Sequence, residues 1–350
     1  MPSTPSTPIA DELLARLAGS ADIYPQKLEL ARELVLILEL DAASYRAASF
    51  LDDRILSPRT RGAWLGFGKV AAAARRVEDP RPVHFIFHTG HVGSTLVSRL
   101  LDDTGIVLPL REPLPLRSLA EAHDAGDTRF DLALSTFMRL WGRGYKATHS
   151  CVVKATSTAA RIATAILERQ TASRAIYLNL RAEAYLATLL AGENSPIDLR
   201  GHGPGRIRRL QSRCGQPLAP LDELSVGELA AVGWLTESWT QLEAVGRGAG
   251  RVLAVDFDRF LGAIGETMGR IAGHFGLPVD SQYFAQVERS PALTRYSKAP
   301  EHPYTPQFRA EVLADSRRRN QAEIRRGIAW LENLANADPA VAAIVNEAGL

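Results

Sequence analysis

The chain has 350 residues, enough for one large domain or two modest ones with a core that needs no covalent staples. Its 46% hydrophobic and 23% charged residues are ordinary for a globular protein, and a formal net charge of +2 carries none of the basic bias expected of a nucleic-acid partner. Two cysteines, Cys151 and Cys214, form neither a disulfide framework nor a zinc pattern, the first residues show no secretory signal, and no apolar run reaches the roughly 18 to 20 residues of a membrane helix. The expectation is a cytoplasmic protein that binds neither nucleic acid nor membrane.

Residues 1 to 9 are rich in Pro, Ser and Thr and read as disordered. The stretch 27 to 41 ends in a β-rich run, and Asp41 stands where it caps a segment of helical spacing at 42 to 56. Residues 57 to 82 hold a short helix-like KVAAAARR and two closing prolines. Strand and helix alternate from there. Apolar runs of strand length stand at 83 to 88, 151 to 155, 174 to 180 and 251 to 257. Helical spacing covers 94 to 103, 115 to 124, 129 to 143, 158 to 170, 182 to 191 and 225 to 247. Short buried strands separated by helices predict a parallel sheet covered on both faces. Residues 306 to 349 read as helix throughout, divided by Pro339, and Trp234, Trp239 and Trp330 at helical positions are assigned to the core.

The first strand of this alternation runs into TGHVGST and then into the helix LVSRLLDD. Glycines let a backbone turn tightly and aim several N–H groups at one point, the following helix adds its positive end, and two hydroxyls add donors, so an anionic oxygen is the natural occupant. The alternative is a plain strand-to-helix turn with Ser94 as the N-cap. The spacing is not G-x-x-x-x-G-K-[ST], because Ser94 stands where that lysine belongs, and it is not G-x-G-x-x-G.

This loop resembles the P-[KR]-S-G-T-T loop of the sulfotransferase superfamily, with Gly90 on the proline, His91 on the basic residue, Gly93 on the glycine, and Ser94 and Thr95 on the paired hydroxyls. The resemblance implies an α/β fold: a P-loop-type parallel β-sheet flanked by helices, with helical additions at both ends. The resemblance covers roughly residues 83 to 280, and the expected organisation is an N-terminal α/β extension over 1–80, the sulfotransferase-like core over 81–290 and a C-terminal helical region packed on it over 291–350. The implied donor is 3'-phosphoadenosine 5'-phosphosulfate, with no metal, and the implied acceptor is a small molecule or peptide bearing a hydroxyl or amine. AIYLNLRAEAYLATLL (175 to 190) is similar to the family's strand and helix that hold the nucleotide's 3'-phosphate, here through Arg181 and Thr188. VVKATS (152 to 157) aligns Lys154 with a residue that touches the sulfuryl group, and Asp256 and Asp258 stand in for the acids of a late turn.

The catalytic assignments implied by the resemblance are three. His91 replaces a permanent cation that stabilises the leaving oxygen, which an imidazole does only when protonated. Lys154 is the second cation, its bland reading being an exposed strand-end lysine. Thr156 occupies the place of one branch's catalytic histidine and cannot act as a base, whereas Glu112, inside R-E-P, matches the glutamate base of the protein-tyrosine branch. Glu112, before Pro113, can also simply start the next helix or pair with Arg111 or Arg117. Two further readings stay open. VLAVD resembles a Walker-B strand, in which Asp256 holds Mg²⁺ for a small-molecule kinase using ATP; and the loop can serve nucleotide sensing without turnover. The arginine-rich run 199 to 213 is either a solvated helix face or the lining of an anion entrance, and His84, His88 and His91 lack further ligands for zinc.

Overall fold

A computed structural model of the chain describes residues 8–297 and 303–349. Of the nine residues expected to be disordered, 1 to 7 lie outside the described residues, while Pro8 and Ile9 begin a helix, Pro8–Arg16. A first sheet holds β1 (Ile23–Glu29), β2 (Leu34–Glu39) and β3 (Gly62–Gly66), all antiparallel. A second, all parallel, holds β4 (Val83–His88), β5 (Val107–Arg111), β6 (Ser150–Lys154), β7 (Ala175–Asn179) and β8 (Val252–Asp256) in the order β5-β6-β4-β7-β8. The fold is α/β as expected, with a sheet as well as helices in its N-terminal addition.

The parallel sheet follows from its composition. Every residue of β4, β5, β6 and β7 is buried, which is why β4, β6 and β7 read as continuous apolar runs rather than alternating ones. Phe85, Phe87, Val153 and Tyr177 face one apolar layer, with the helices Phe130–Trp141 and Ala163–Arg169. Ile86, Val152, Ile176 and Leu178 face the other, where the helix Ser94–Asp102 buries Val97, Leu100 and Leu101. One strand of this sheet was absent from the sequence reading, as were β1 and β3 of the first sheet. β5 carries Pro109, and it forms because it is an edge strand, where a missing N–H removes no ladder bond from the interior.

The order of the strands positions the site. From β4 the chain crosses outward to the edge strand β5 and returns to β6; from β6 it crosses over β4 to β7. Right-handed connections that leave in opposite directions put their helices on opposite faces, which opens a crevice at the carboxyl end of β4. That is where the glycine-rich loop lies.

Two buried arginines stitch the N-terminal segment to the core. Arg111, the last residue of β5, donates to the carbonyls of Tyr45, Arg46 and Ala48 at 3.3, 3.1 and 2.9 Å, to Ser98 at 3.0 Å and to Asp102 at 2.9 Å. Arg143 donates to the carbonyls of Leu17, Ser20 and Ile23. Burial pushes Arg143 down to about 10 and Arg111 below its ordinary value. At the other end, the expected C-terminal helix breaks at Asn320 as well as at Asp338, giving Pro306–Arg319, Gln321–Ala337 and Pro339–Ala348. Asp338 caps the last of these by accepting from Ala340 N at 2.9 Å.

Candidate active site

The loop after β4 is a left-handed turn. Gly90 has φ +108°, His91 +55° and Gly93 +70°. Gly93, not Ser94, is the N-cap, and it uses no side chain to cap. Two constraints fix glycine there: the positive φ, and the ring of Phe257, whose Cε2 would stand 1.9 Å from a Cβ. The first amides of the helix Ser94–Asp102 have no carbonyl of their own to reach, so they face the crevice together with the positive end of the helix. Thr95 is 2% exposed, and its Oγ1 has no hydrogen-bond partner among the described residues. A buried hydroxyl left open in a nest of amides fits an oxyanion ligand, which would supply the missing partner.

Beside the loop sits an ion pair. Lys154, at the end of β6, is fully buried and its Nζ donates to Glu112 Oε1. The exposed strand-end lysine of the bland reading is therefore corrected: β6 is an interior strand, so its last side chain stays under the loops above the sheet. Glu112 directly follows β5, is 12% exposed, and is held at φ +56° by its own N–H, which donates to the Lys154 carbonyl at 2.7 Å. A non-glycine residue in that conformation is strained, a condition that accumulates at functional sites. Arg117 approaches Glu112 Oε2 at 3.7 Å, while Arg111 turns into the core and makes no pair with it.

A cleft of about 620 Å³ joins these parts. Its lining includes His91, Gly93, Ser94, Thr95, Glu112, Lys154 and Thr188. His88, buried beside them, shares a hydrogen bond with the Ala155 carbonyl at 2.9 Å through Nε2. The remaining wall is largely apolar and aromatic, with Leu261, Ile264, Tyr296, Tyr304 and Phe308, and Arg309 stands 5.2 Å from the centre of the Phe257 ring.

The structure resembles solved sulfotransferases. It is similar to the sulfotransferase domain from the curacin biosynthetic pathway at 16% identity and a TM-score of 0.42, covering 72% of this chain and 98% of that one. Sulfotransferase STF9 from Mycobacterium avium matches at 13% identity and 0.38, over 90% of this chain and 97% of its own. Mouse sulfotransferase SULT7A1, solved with PAP, matches at 10% identity and 0.36, over 77% and 97%. No protein-family model matches the sequence, and no curated protein matches it either.

The other residues of the sequence reading are placed as follows. Arg181 is exposed at the N-cap of the helix Ala182–Leu190, against the backbone of Gly349, and does not line the cleft. Thr188 does line it, but its hydroxyl donates to Ala184 O at 2.7 Å within the helix. Asp256 caps the helix Phe257–Gly262 by accepting from Arg259 N at 2.8 Å, and Asp258 pairs with Arg309 at 2.8 Å. Thr156 lies 3.3 Å from Thr158, hydroxyl to hydroxyl. His84 belongs to the core, stacked on Phe275, where burial pushes its imidazole down to about 4. Among the tryptophans Trp234 is fully buried, whereas Trp239 and Trp330 are only partly covered. The aromatic wall of Tyr296, Tyr304 and Phe308 was missed by the sequence reading, since nothing local marks a tyrosine two hundred positions from the loop as its neighbour.

Proposed function

We propose that the chain is a sulfotransferase that moves a sulfuryl group from 3'-phosphoadenosine 5'-phosphosulfate to a hydroxyl or amine. The observation that carries this reading is the meeting, in one cleft, of a left-handed phosphate loop with an open buried hydroxyl and a buried lysine–glutamate pair. Gly93, Ser94, Thr95 and the first helical amides hold the 5'-phosphate end. Tyr296, Tyr304 and Phe308 offer ring faces to the base, and Arg181 and Thr188 are the candidates for the 3'-phosphate. The donor supplies an activated sulfur whose bond to the bridging oxygen breaks as the acceptor atom attacks. Glu112 accepts the acceptor's proton, and Lys154 and His91 face the charge that grows on the departing phosphate. Positioning and electrostatics carry most of such a reaction, so the chain needs little covalent chemistry of its own.

The test is a melting-temperature comparison with adenosine 3',5'-bisphosphate and with ATP/Mg²⁺, followed by turnover of a labelled sulfate donor. Stabilisation by the bisphosphate and transfer of label are expected. Stabilisation by ATP/Mg²⁺ alone would move the protein to the kinase reading.

Two variants sharpen it. Thr95→Val is expected to leave the melting temperature unchanged or raised, since the lost hydroxyl has no partner among the described residues, while weakening the bisphosphate by about tenfold, the effect of one charge-assisted hydrogen bond. Equal affinity in calorimetry would take Thr95 out of the site. His91→Arg is expected to keep or raise turnover and His91→Ala to lower it by about tenfold or more, the range of one electrostatic contact; normal turnover in the alanine variant would leave His91 as a turn residue.

A further inference from the structure

The arginine-rich helix Ser195–Gln211 carries a buried cationic centre that the transfer chemistry above does not use. Arg206 is 6% exposed, and its Nε donates to Glu237 Oε1 at 3.4 Å. The same carboxylate oxygen already accepts from Arg209 Nη2 at 2.6 Å. Two guanidiniums thus share one oxygen of one fully buried carboxylate. The hydrogen bond of Arg206 runs through Nε and not through its terminal nitrogens, and Arg209 Nη1 and Glu237 Oε2 are buried with no partner among the described residues. A surplus cation with open donors inside a protein is costly unless an anion completes it.

That centre adjoins the loop. Arg206 Nη1 and Tyr185 Oη lie 3.3 and 3.5 Å from the point where a Cβ on Gly233 would stand, so the absence of a side chain at Gly233 gives the guanidinium its room. Tyr185 in turn donates to Thr89 O at 3.3 Å, and its oxygen is 3.7 Å from the Cβ position of Gly90, with Ser157 Oγ at 3.6 Å from that position. His202, one turn before Arg206 on its helix, feels the charges of both Arg206 and Arg117, which with burial as the larger cause hold it below the ordinary imidazole value. Arg117 has a buried Nε with no partner among the described residues and is the arginine that reaches toward Glu112. Arg117, toward Glu112, and Arg206, beside the Gly90 end of the loop, are therefore both near His202, whereas the aromatic wall includes neither Arg117 nor Arg206.

We infer that Arg206, with Arg117, forms a binding site for an anionic group on the acceptor, so that the acceptor is a hydroxyl or amine compound that also bears a carboxylate, sulfate or phosphate. The assignment rests on the sulfotransferase reading for the word acceptor, and on the Arg206 geometry for the anion. A guanidinium fork matches the two oxygens of such a group, and binding it there leaves the reactive hydroxyl to reach Glu112.

The test uses inorganic sulfate as the probe, titrated by calorimetry at constant ionic strength into the full chain, free and saturated with adenosine 3',5'-bisphosphate. In the saturated protein the loop is filled, and one further sulfate is expected to bind. Arg206→Gln should weaken it by about tenfold or more and Arg117→Gln by a smaller factor, with bisphosphate affinity unchanged in both. No second sulfate in the saturated protein, or equal sulfate affinity in the variants, would overturn the inference. Should Arg206→Gln fail to fold because Glu237 loses a partner, the partly exposed Arg117→Gln decides, and an unchanged sulfate affinity there counts against the site. Failure of the bisphosphate to bind would sink the donor reading instead, and the titration of the free protein still reads the Arg206 dependence separately.

Discussion

Glu112→Gln is expected to lower turnover by about a hundredfold or more, the usual contribution of a positioned general base. The amide keeps the shape and can still accept a hydrogen bond from Lys154, but it cannot take a proton. The geometry adds a second expectation. Lys154 is fully buried and loses the charge of Glu112 in this variant, so the free protein should melt lower, by about 1 to 3 kcal/mol of stability. An anionic ligand replaces that charge and meets no carboxylate beside it, so the bisphosphate should bind at least as tightly as to the wild type and should stabilise the variant more. Lys154→Met is the counterpart: it is expected to weaken the bisphosphate by about tenfold, because a charge-assisted donor is gone. A pair that served only the fold would lower stability in both variants and change neither turnover nor ligand affinity at saturating donor. Full turnover of Glu112→Gln with its true acceptor would place the base elsewhere.

Gly93→Ala is expected to abolish bisphosphate binding within the range of calorimetry. A Cβ at this position would lie 1.9 to 2.7 Å from three ring carbons of Phe257, and φ is +70°, which costs an alanine roughly 1 to 2 kcal/mol before any contact is counted. The loop must therefore move, and a displacement of its amides by an ångström is enough to lose an oxyanion site. Phe257→Ala in the same chain is expected to recover part of the lost stability, since it removes the ring but not the backbone strain. A double-mutant cycle on the two positions reads the coupling directly. Retention of wild-type affinity in Gly93→Ala would mean that the loop does not hold the phosphate.

What was legible in the sequence was what is local. The turn at 90 to 95 announces itself because glycine spacing, hydroxyls and the flanking strand and helix lie within twenty consecutive residues, and the physics of a left-handed turn acts over the same range. The parallel sheet was legible for a similar reason, since strands buried on both faces have no polar side to show. β5 escaped because Pro109 argues against a strand until its place at the sheet edge is known. Lys154 and Glu112, 42 positions apart, were reached only residue by residue through a family likeness; alone, Lys154 read equally well as an exposed strand-end charge and Glu112 as a helix start or a partner of Arg111 or Arg117. Parallel pairing of β5 with β6, Arg111 opposite Lys154, is what brings them together, and no local propensity encodes which two strands will be neighbours. Arg206 and Glu237 show the same division. Sequence alone determined that helix 195 to 211 is rich in arginine, but only its packing against the helix Val226–Arg247 decided that two of those arginines would be withdrawn from water onto a single carboxylate, because desolvation is a property of what surrounds a charge and not of the residue that carries it.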